Sequence, residues 1–110
     1  MARYTFVVLT DPVEGQDDDY NDWYTNQHLG DVVNVEGFIS AQRFRLADTD
    51  PAQAFSHRYL ALYEVETDDL EKVRQALSET PAERMPISPA LDRDNAVACY
   101  FEPITDVVSR

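Results

Sequence analysis

One predicted helix carries the groups best suited to chemistry. Tyr20, Tyr24 and His28 follow one another at intervals of four residues, and Asp31 lies about one turn further on, so a regular helix places them along one face. Histidine exchanges protons near neutrality because its unperturbed pKa is about 6.5, and a neighbouring carboxylate can orient it. The pattern predicts His28 as a general acid or base, with Tyr24 and Asp31 orienting it or sharing protons.

The same face is unusual for a helix that only packs on a core. At about 100° per residue it spans an arc of about 140° and includes Trp23, whereas a structural helix usually places Leu, Val or Ala there. We predict that the helix from Asp19 to Asp31 lines a small-molecule pocket, in which Tyr20 and Trp23 pack on the ligand. The alternative is that His28 is a buried polar residue bonded to a backbone carbonyl.

Residues of two predicted strands could complete this pocket. Arg43 would offer a guanidinium to a carboxylate or enolate oxygen of the substrate. His57 and Tyr59 alternate in phase and would add substrate contacts, although a histidine at a strand end is also typical of a surface. Cys99 lies in a predicted strand, which favours a buried, inert thiol over a nucleophile.

The composition argues against several classes of partner. The formal net charge of -12, from 21 acidic and 9 basic residues, would repel nucleic acid and an anionic membrane surface. The chain has no glycine-rich phosphate loop, G-x-S-x-G, H-E-x-x-H or C-x-x-C motif, and its acidic run lacks calcium-loop spacing. We therefore expect no metal, no cofactor, no nucleic acid and no membrane partner. With one cysteine, no secretory signal and no apolar stretch of about 18 residues, we expect a cytoplasmic protein.

The remaining patterns predict the elements that position the first helix. They are strand one (Tyr4 to Thr10), helix one (Asp19 to about Val35, with a break near Gly30), strand two (Phe38 to Leu46), strand three (His57 to Val65), helix two (Leu70 to Leu77, ended by Pro81) and strand four (Asn95 to Glu102).

The order βαββαβ predicts a single α+β domain over residues 1–110. It would be ferredoxin-like, with an antiparallel sheet and both helices on one face. Strands two and three carry large apolar residues on both faces, such as Phe38 beside Ile39, and Tyr59 beside Leu60. The face without helices would then expose apolar area, so we predict a homodimer.

Two segments carry a resemblance to a known family: DYNDWYTNQHLGDVVNVEGFISAQRFRL, residues 19–46, and HRYLALYEVET, residues 57–67. They resemble the EthD-like families of the dimeric α+β barrel superfamily, through an aromatic pair, a following histidine and a G-F-x-S-A-Q-R-F strand. The resemblance implies two subunits whose sheets meet in a barrel, with a pocket between sheet and helices in each. Trp23, Tyr24, His28 and Arg43 match positions that serve in the pockets of acid-base members.

These observations favour a cofactor-independent lyase or isomerase, of the dehydratase, cyclase or lactone isomerase type, acting on a small hydrophobic oxygenated compound. The alternatives are a non-catalytic binding protein, a cofactor-free monooxygenase, and a protein that binds haem through His28, as the superfamily allows. If the protein is an enzyme, we expect a His28 pKa near neutrality in a solvent-reachable pocket. A carrier protein tolerates a buried imidazole that does not titrate near neutrality.

Overall fold

The chain forms an antiparallel sheet of four strands in the order β2-β3-β1-β4. The structure is a computed structural model, and it describes residues 1–48 and 50–110. The order matches the predicted ferredoxin-like α+β fold. The elements are β1 (Ala2–Thr10), α1 (Asp17–Trp23), a π-helical turn (Tyr24–His28), α2 (Leu29–Val33), β2 (Phe38–Arg45), β3 (Tyr59–Thr67), α3 (Leu70–Ser78) and β4 (Val97–Phe101).

The core lies between the helices and one face of the sheet. Alternate residues of the central strand β3 are buried there, as the period of two predicts, and Tyr63 of this set pairs across the ladder with Phe6 of β1. Phe38 of β2 packs edge-on against Phe6, with ring centroids 6.0 Å apart. The helical side supplies Tyr20 and Tyr24, which are 0% and 2% exposed. An aromatic layer therefore joins the first helix to the sheet.

The opposite face of the sheet, here called the open face, is largely apolar, and within the described part of the chain no helix covers it. Its apolar residues are Val7, Leu9, Phe44, Leu60, Leu62, Val97, Cys99 and Phe101, which the strand registers bring together with the polar Thr5, Gln42 and Glu64. Phe44 and Phe101 are exposed in the single chain. The prediction of a buried Cys99 is wrong for the single chain, because its strand turns the thiol toward this exposed side.

The first helical segment differs from the predicted regular helix. It begins at Asp17, where three acidic residues lie in the first turn, as expected from the positive end of the helix dipole. It does not break at Gly30, which lies inside α2. The irregularity is the π-helical turn from Tyr24 to His28, where one additional residue is accommodated without ending the helix.

One predicted strand boundary also needs correction, and β2 is irregular at its start. β3 begins at Tyr59 rather than at His57. In β2 the register shifts between Phe38 and Ser40, so Phe38 is buried while Ile39 is exposed. A one-residue bulge interrupts the alternation of faces, and Ile39 therefore does not continue the alternation of Ala41 and Arg43.

The connection into β2 and the second helix follow local rules. Gly37 has a φ of +102°, a region that favours glycine, and a Cβ there would lie 2.6 Å from Cγ2 of Val73 in α3. Asp69 caps α3 by accepting a hydrogen bond from the backbone N–H of Lys72. Among the described residues, no helix is long and apolar enough to cross a membrane.

Candidate functional site

The π-helical turn sets the geometry of the candidate site. Trp23 and His28 are five residues apart, which in a regular α-helix would separate them by about 140° around the axis. The wider turn instead stacks their rings, with centroids 4.5 Å apart and an interplanar angle of 24°. Tyr24 meets the same imidazole edge-on at 4.9 Å. His28 is therefore held between two aromatic rings of its own helix.

Burial determines the chemical state of His28. The imidazole is largely surrounded by protein, and this desolvation lowers the pKa of His28 from 6.5 to about 4. The ring is consequently neutral at pH 7. Its Nδ1 is buried and has no hydrogen-bond partner among the described residues. The alternative prediction, a hydrogen bond from His28 to a backbone carbonyl, is therefore wrong at this atom.

Hydrogen bonds fix the two aromatic neighbours. The indole Nε1 of Trp23 donates to the carbonyl oxygen of Pro86 at 3.1 Å. The hydroxyl of Tyr24 is 3.0 Å from the hydroxyl of Tyr63 on β3, and burial raises the pKa of Tyr24 to about 12. Both phenols remain protonated at neutral pH. Tyr24 can share a proton through a hydrogen bond, but it is not an ionised base.

Tyr20 and Tyr59 fill the space between α1 and the sheet. The Tyr20 hydroxyl is hydrogen-bonded to the Thr10 side chain, and the Tyr20 ring lies 5.2 Å from the ring of Tyr59. The Tyr59 hydroxyl accepts a hydrogen bond from Asn21 at 3.2 Å. The structure thus assigns packing contacts to both residues, and their predicted contact with a substrate remains a prediction.

Arg43 lies on the helix-facing side of β2, as the motif implies, with its guanidinium engaged by α1 and the π-helical turn. Its carbon Cζ lies 4.6 Å from the centre of the Tyr24 ring, a distance typical of cation–π contacts. Its NH groups donate to Asn21 Oδ1 at 3.0 Å and to Thr25 Oγ1 at 2.8 Å. Arg43 therefore ties β2 to the helix, and because a guanidinium has five N–H donors, these bonds do not by themselves prevent a bond to a substrate oxygen.

His57 lies away from His28 and is satisfied by its own surroundings. It is 6% exposed, its Nε2 contacts the carbonyl oxygen of Asn95, and its Nδ1 is 2.7 Å from Ser56 Oγ. A carbonyl oxygen only accepts, so Nε2 carries a proton and donates it to Asn95, while Nδ1 is hydrogen-bonded to the serine hydroxyl. The ring links the loop before β3 to the turn before β4, which is a structural use of both nitrogens.

Asp31 borders a polar cleft that the sequence did not reveal. The cleft has a volume of about 460 Å³, and its walls are Asp31, Asn34, Thr80 and Arg84. One carboxyl oxygen of Asp31, Oδ2, is buried and has no hydrogen-bond partner among the described residues. Thr80 and Arg84 follow α3 in a loop without periodicity, so no pattern could have assigned them to this place.

Comparisons with known proteins address the fold. No protein-family model matches the sequence, and no curated protein matches it significantly. Solved structures do match over most of their length. The haem-degrading protein MhuD of Mycobacterium tuberculosis, with two haems bound, is 19% identical with a TM-score of 0.63, covering 96% of this chain and 99% of that one.

Two further structures give the same result. An EthD family protein of Bacillus halodurans is 16% identical with a TM-score of 0.60, covering 94% of this chain and 100% of that one. A dimeric ferredoxin-like protein of unknown function from Jannaschia is 11% identical with a TM-score of 0.63, covering 92% and 99%. At these identities the likeness establishes the fold, and it agrees with the fold that the EthD-like resemblance implied.

Proposed function

We propose that this chain binds a small, hydrophobic, oxygenated molecule beside its first helix. Its fold is the ferredoxin-like fold of EthD-like and related dimeric proteins. His28 is the polar anchor of the ligand, and Trp23 supplies an aromatic surface. The observation that carries this proposal is the buried Nδ1 of His28, which has no protein partner among the described residues. A buried polar atom without a partner is costly, and a ligand atom or water at this position would remove that cost.

The state of His28 favours binding over catalysis. A carrier tolerates a buried imidazole that does not titrate near neutrality, and burial lowers the pKa of His28 to about 4. A general acid or base works best with a pKa near the operating pH. The guanidinium of Arg43, the expected oxyanion partner, already donates to Asn21 and Thr25. The first feature is the one expected of a binding site, and the second shows that Arg43 serves in packing.

A lyase or isomerase is the second candidate, and the neutral ring of His28 supports it. A neutral imidazole can accept a proton from a substrate across the neutral pH range. In that mechanism His28 is the base, with Asp31 and Tyr24 orienting it. Turnover of an identified substrate that survives His28→Ala in a folded protein would exclude this mechanism. Oxygen uptake during turnover would instead identify the cofactor-free monooxygenase.

Haem is a poor fit for the residues around His28. The neutral imidazole is a suitable iron ligand, but Trp23 stacks on it at 4.5 Å and Tyr24 lies against it at 4.9 Å. Iron would bind in the plane of the imidazole, and the Nδ1 atom in that plane is buried, so a porphyrin at this nitrogen would have to displace the residues that cover it. We therefore propose no step through haem, and an absorbance spectrum after haem titration tests this conclusion.

The binding proposal can be tested with the fluorescence of Trp23, since this is the only tryptophan of the chain. Phenol and anisole, titrated to millimolar concentration, should change the emission of the wild-type protein, because the indole forms part of the proposed site. Isothermal titration calorimetry supplies affinities. Gln27→Ala is a control for a substitution on this turn, because Gln27 is exposed there. This variant should respond to the probes as the wild-type protein does. If neither probe binds, the binding proposal is wrong.

We also propose that two copies of the chain pair through the open face. The face is apolar, with Phe44 and Phe101 exposed in a single chain, and contiguous apolar surface of this kind marks interaction sites. The ferredoxin-like protein from Jannaschia is described as dimeric. Sedimentation at micromolar concentration should give twice the chain mass of 12.6 kDa. A cytoplasmic location remains a prediction, which cell fractionation would test.

A further inference from the structure

Two unsatisfied atoms lie one turn apart on the first helical segment. Among the described residues, the buried side-chain atoms without a hydrogen-bond partner are His28 Nδ1, Asp31 Oδ2 and Tyr100 Oη. The first two belong to residues that differ by three positions, with Asp31 in α2 directly after the π-helical turn. Residues three apart share a helix face, with Cβ atoms about 5–6 Å apart. No hydrogen bond joins these two atoms within the described part of the chain.

The two atoms have complementary requirements. The side chain of Asp31 offers acceptor oxygens. His28 is neutral, so one ring nitrogen donates and the other accepts. With the proton on Nδ1, a hydroxyl group satisfies both atoms at once, since it can accept from the imidazole and donate to the carboxylate. Two hydrogen bonds of about 2.8 Å through one oxygen span roughly 5 Å, which suits the spacing of adjacent turns.

The position of Asp31 also provides a route for such a group. Asp31 forms one wall of the cleft of about 460 Å³ that it shares with Asn34, Thr80 and Arg84. Small-molecule sites have volumes in this range. Trp23 and Tyr24 pack their rings against His28. His28 Nδ1 and Asp31 Oδ2 are both buried, so a ligand that enters through the cleft reaches the pair by displacing side chains that cover it.

We infer that His28 Nδ1 and Asp31 Oδ2 together recognise a hydroxyl group of the ligand, so that phenols and related hydroxylated rings are the class bound. This inference deepens the proposed binding function and rests on it. It assigns Asp31 to direct contact with the ligand, where the sequence had suggested that it orients His28. Ethers of the same shape would be discriminated against, because they cannot donate to the carboxylate.

The test compares phenol with anisole by isothermal titration calorimetry. The two rings differ in the hydroxyl proton, which anisole has replaced by a methyl group. A hydrogen bond to a charged acceptor contributes enough to predict that phenol binds the wild-type protein at least about tenfold more tightly. In Asp31→Ala that ratio should fall close to one, because the acceptor for the phenol proton is gone. His28→Leu should weaken the binding of both probes, because the oxygen of either can accept from Nδ1. The control Asp19→Ala makes the Asp31 change at an exposed residue of α1 and should keep the wild-type ratio.

Each outcome bears on a different claim. If anisole binds as tightly as phenol, or if Asp31→Ala keeps the wild-type ratio, the hydroxyl inference is wrong while the binding proposal stands. That is also the result expected if an ordered water satisfies both atoms permanently. If neither probe binds, the binding proposal itself fails. Circular dichroism and urea unfolding of each variant establish that a lost preference does not reflect a lost fold.

Discussion

Acidification should destabilise the folded protein through His28, and His28→Gln should abolish that contribution. The pKa of His28 is about 4 in the folded chain, against 6.5 for an ordinary histidine. Between these two pH values, His28 is protonated in the unfolded chain but neutral in the folded chain. The free energy of unfolding therefore falls as the pH drops from 6.5 to 4. The slope approaches about 1.4 kcal/mol per pH unit, and the total loss is about 3 kcal/mol.

Urea unfolding monitored by far-UV circular dichroism, at intervals between pH 7 and pH 4, measures this effect. The carboxylates titrate in both proteins, so the difference between the free energies of unfolding of wild type and His28→Gln isolates the imidazole. That difference should shift by about 3 kcal/mol across the interval, to the disadvantage of the wild type at low pH. Two parallel stability curves would refute the burial argument.

A direct measurement is available because the chain contains two histidines. The imidazole resonances of the folded protein can be assigned by their loss in His28→Gln and followed by NMR through the same pH range. The midpoint of His28 should lie near pH 4. A midpoint close to 6.5 would mean that the imidazole is solvated, and it would favour the enzyme over the carrier.

Three further predictions concern packing and assembly. Tyr24→Phe leaves the Tyr63 hydroxyl buried without its partner, so urea unfolding should show a free energy of unfolding lower by about 1–3 kcal/mol. The double variant with Tyr63→Phe should lose less stability than the two single variants lose together. Gly37→Ala should lower the melting temperature, because the residue has a positive φ and the new Cβ would lie 2.6 Å from a side-chain carbon of α3. In contrast, the Cβ of Gly30→Ala meets nothing within 4 Å. This substitution should raise the free energy of unfolding by about 0.5–1 kcal/mol. Phe44→Glu, on the open face, should convert a sedimenting dimer to a monomer, and an unchanged dimer would place the interface elsewhere.

The fold was largely predictable from the sequence because its signals are local and periodic. α3 carries an apolar stripe and an Asp69 cap within a few residues of each other, and β3 alternates without interruption. Two departures from regular periodicity occur where one residue is added to an element. The bulge at Ile39 and the π-helical turn before Leu29 shift the phase of the residues on their C-terminal side, yet neither has a composition that distinguishes it from its surroundings.

The candidate site was predictable only in part. The side chains of Tyr20, Trp23, Tyr24 and His28 do pack against one another, as their helical spacing indicated, and their contact with a ligand stays a prediction. The hydrogen-bond partners of Tyr24 and Trp23 come from distant segments: Tyr63 binds Tyr24 across 39 positions, and the Pro86 carbonyl binds Trp23 across 63. Such pairings depend on the tertiary fold, so the state of His28 could not be derived from its neighbours in sequence.

The same burial explains both why His28 is a weak candidate for an acid and why it is a strong candidate for an anchor. Desolvation penalises the charged imidazole, which removes the proton that a general acid at pH 7 would donate. It also leaves the neutral ring with an unsatisfied nitrogen in a medium where a hydrogen bond is strong. In the proposed complex, a ligand hydroxyl at that nitrogen makes this bond at the cost of its own desolvation. On that proposal, recognition follows from the aromatic packing of Trp23 and Tyr24, and a catalytic role would require the ligand to raise the basicity of His28.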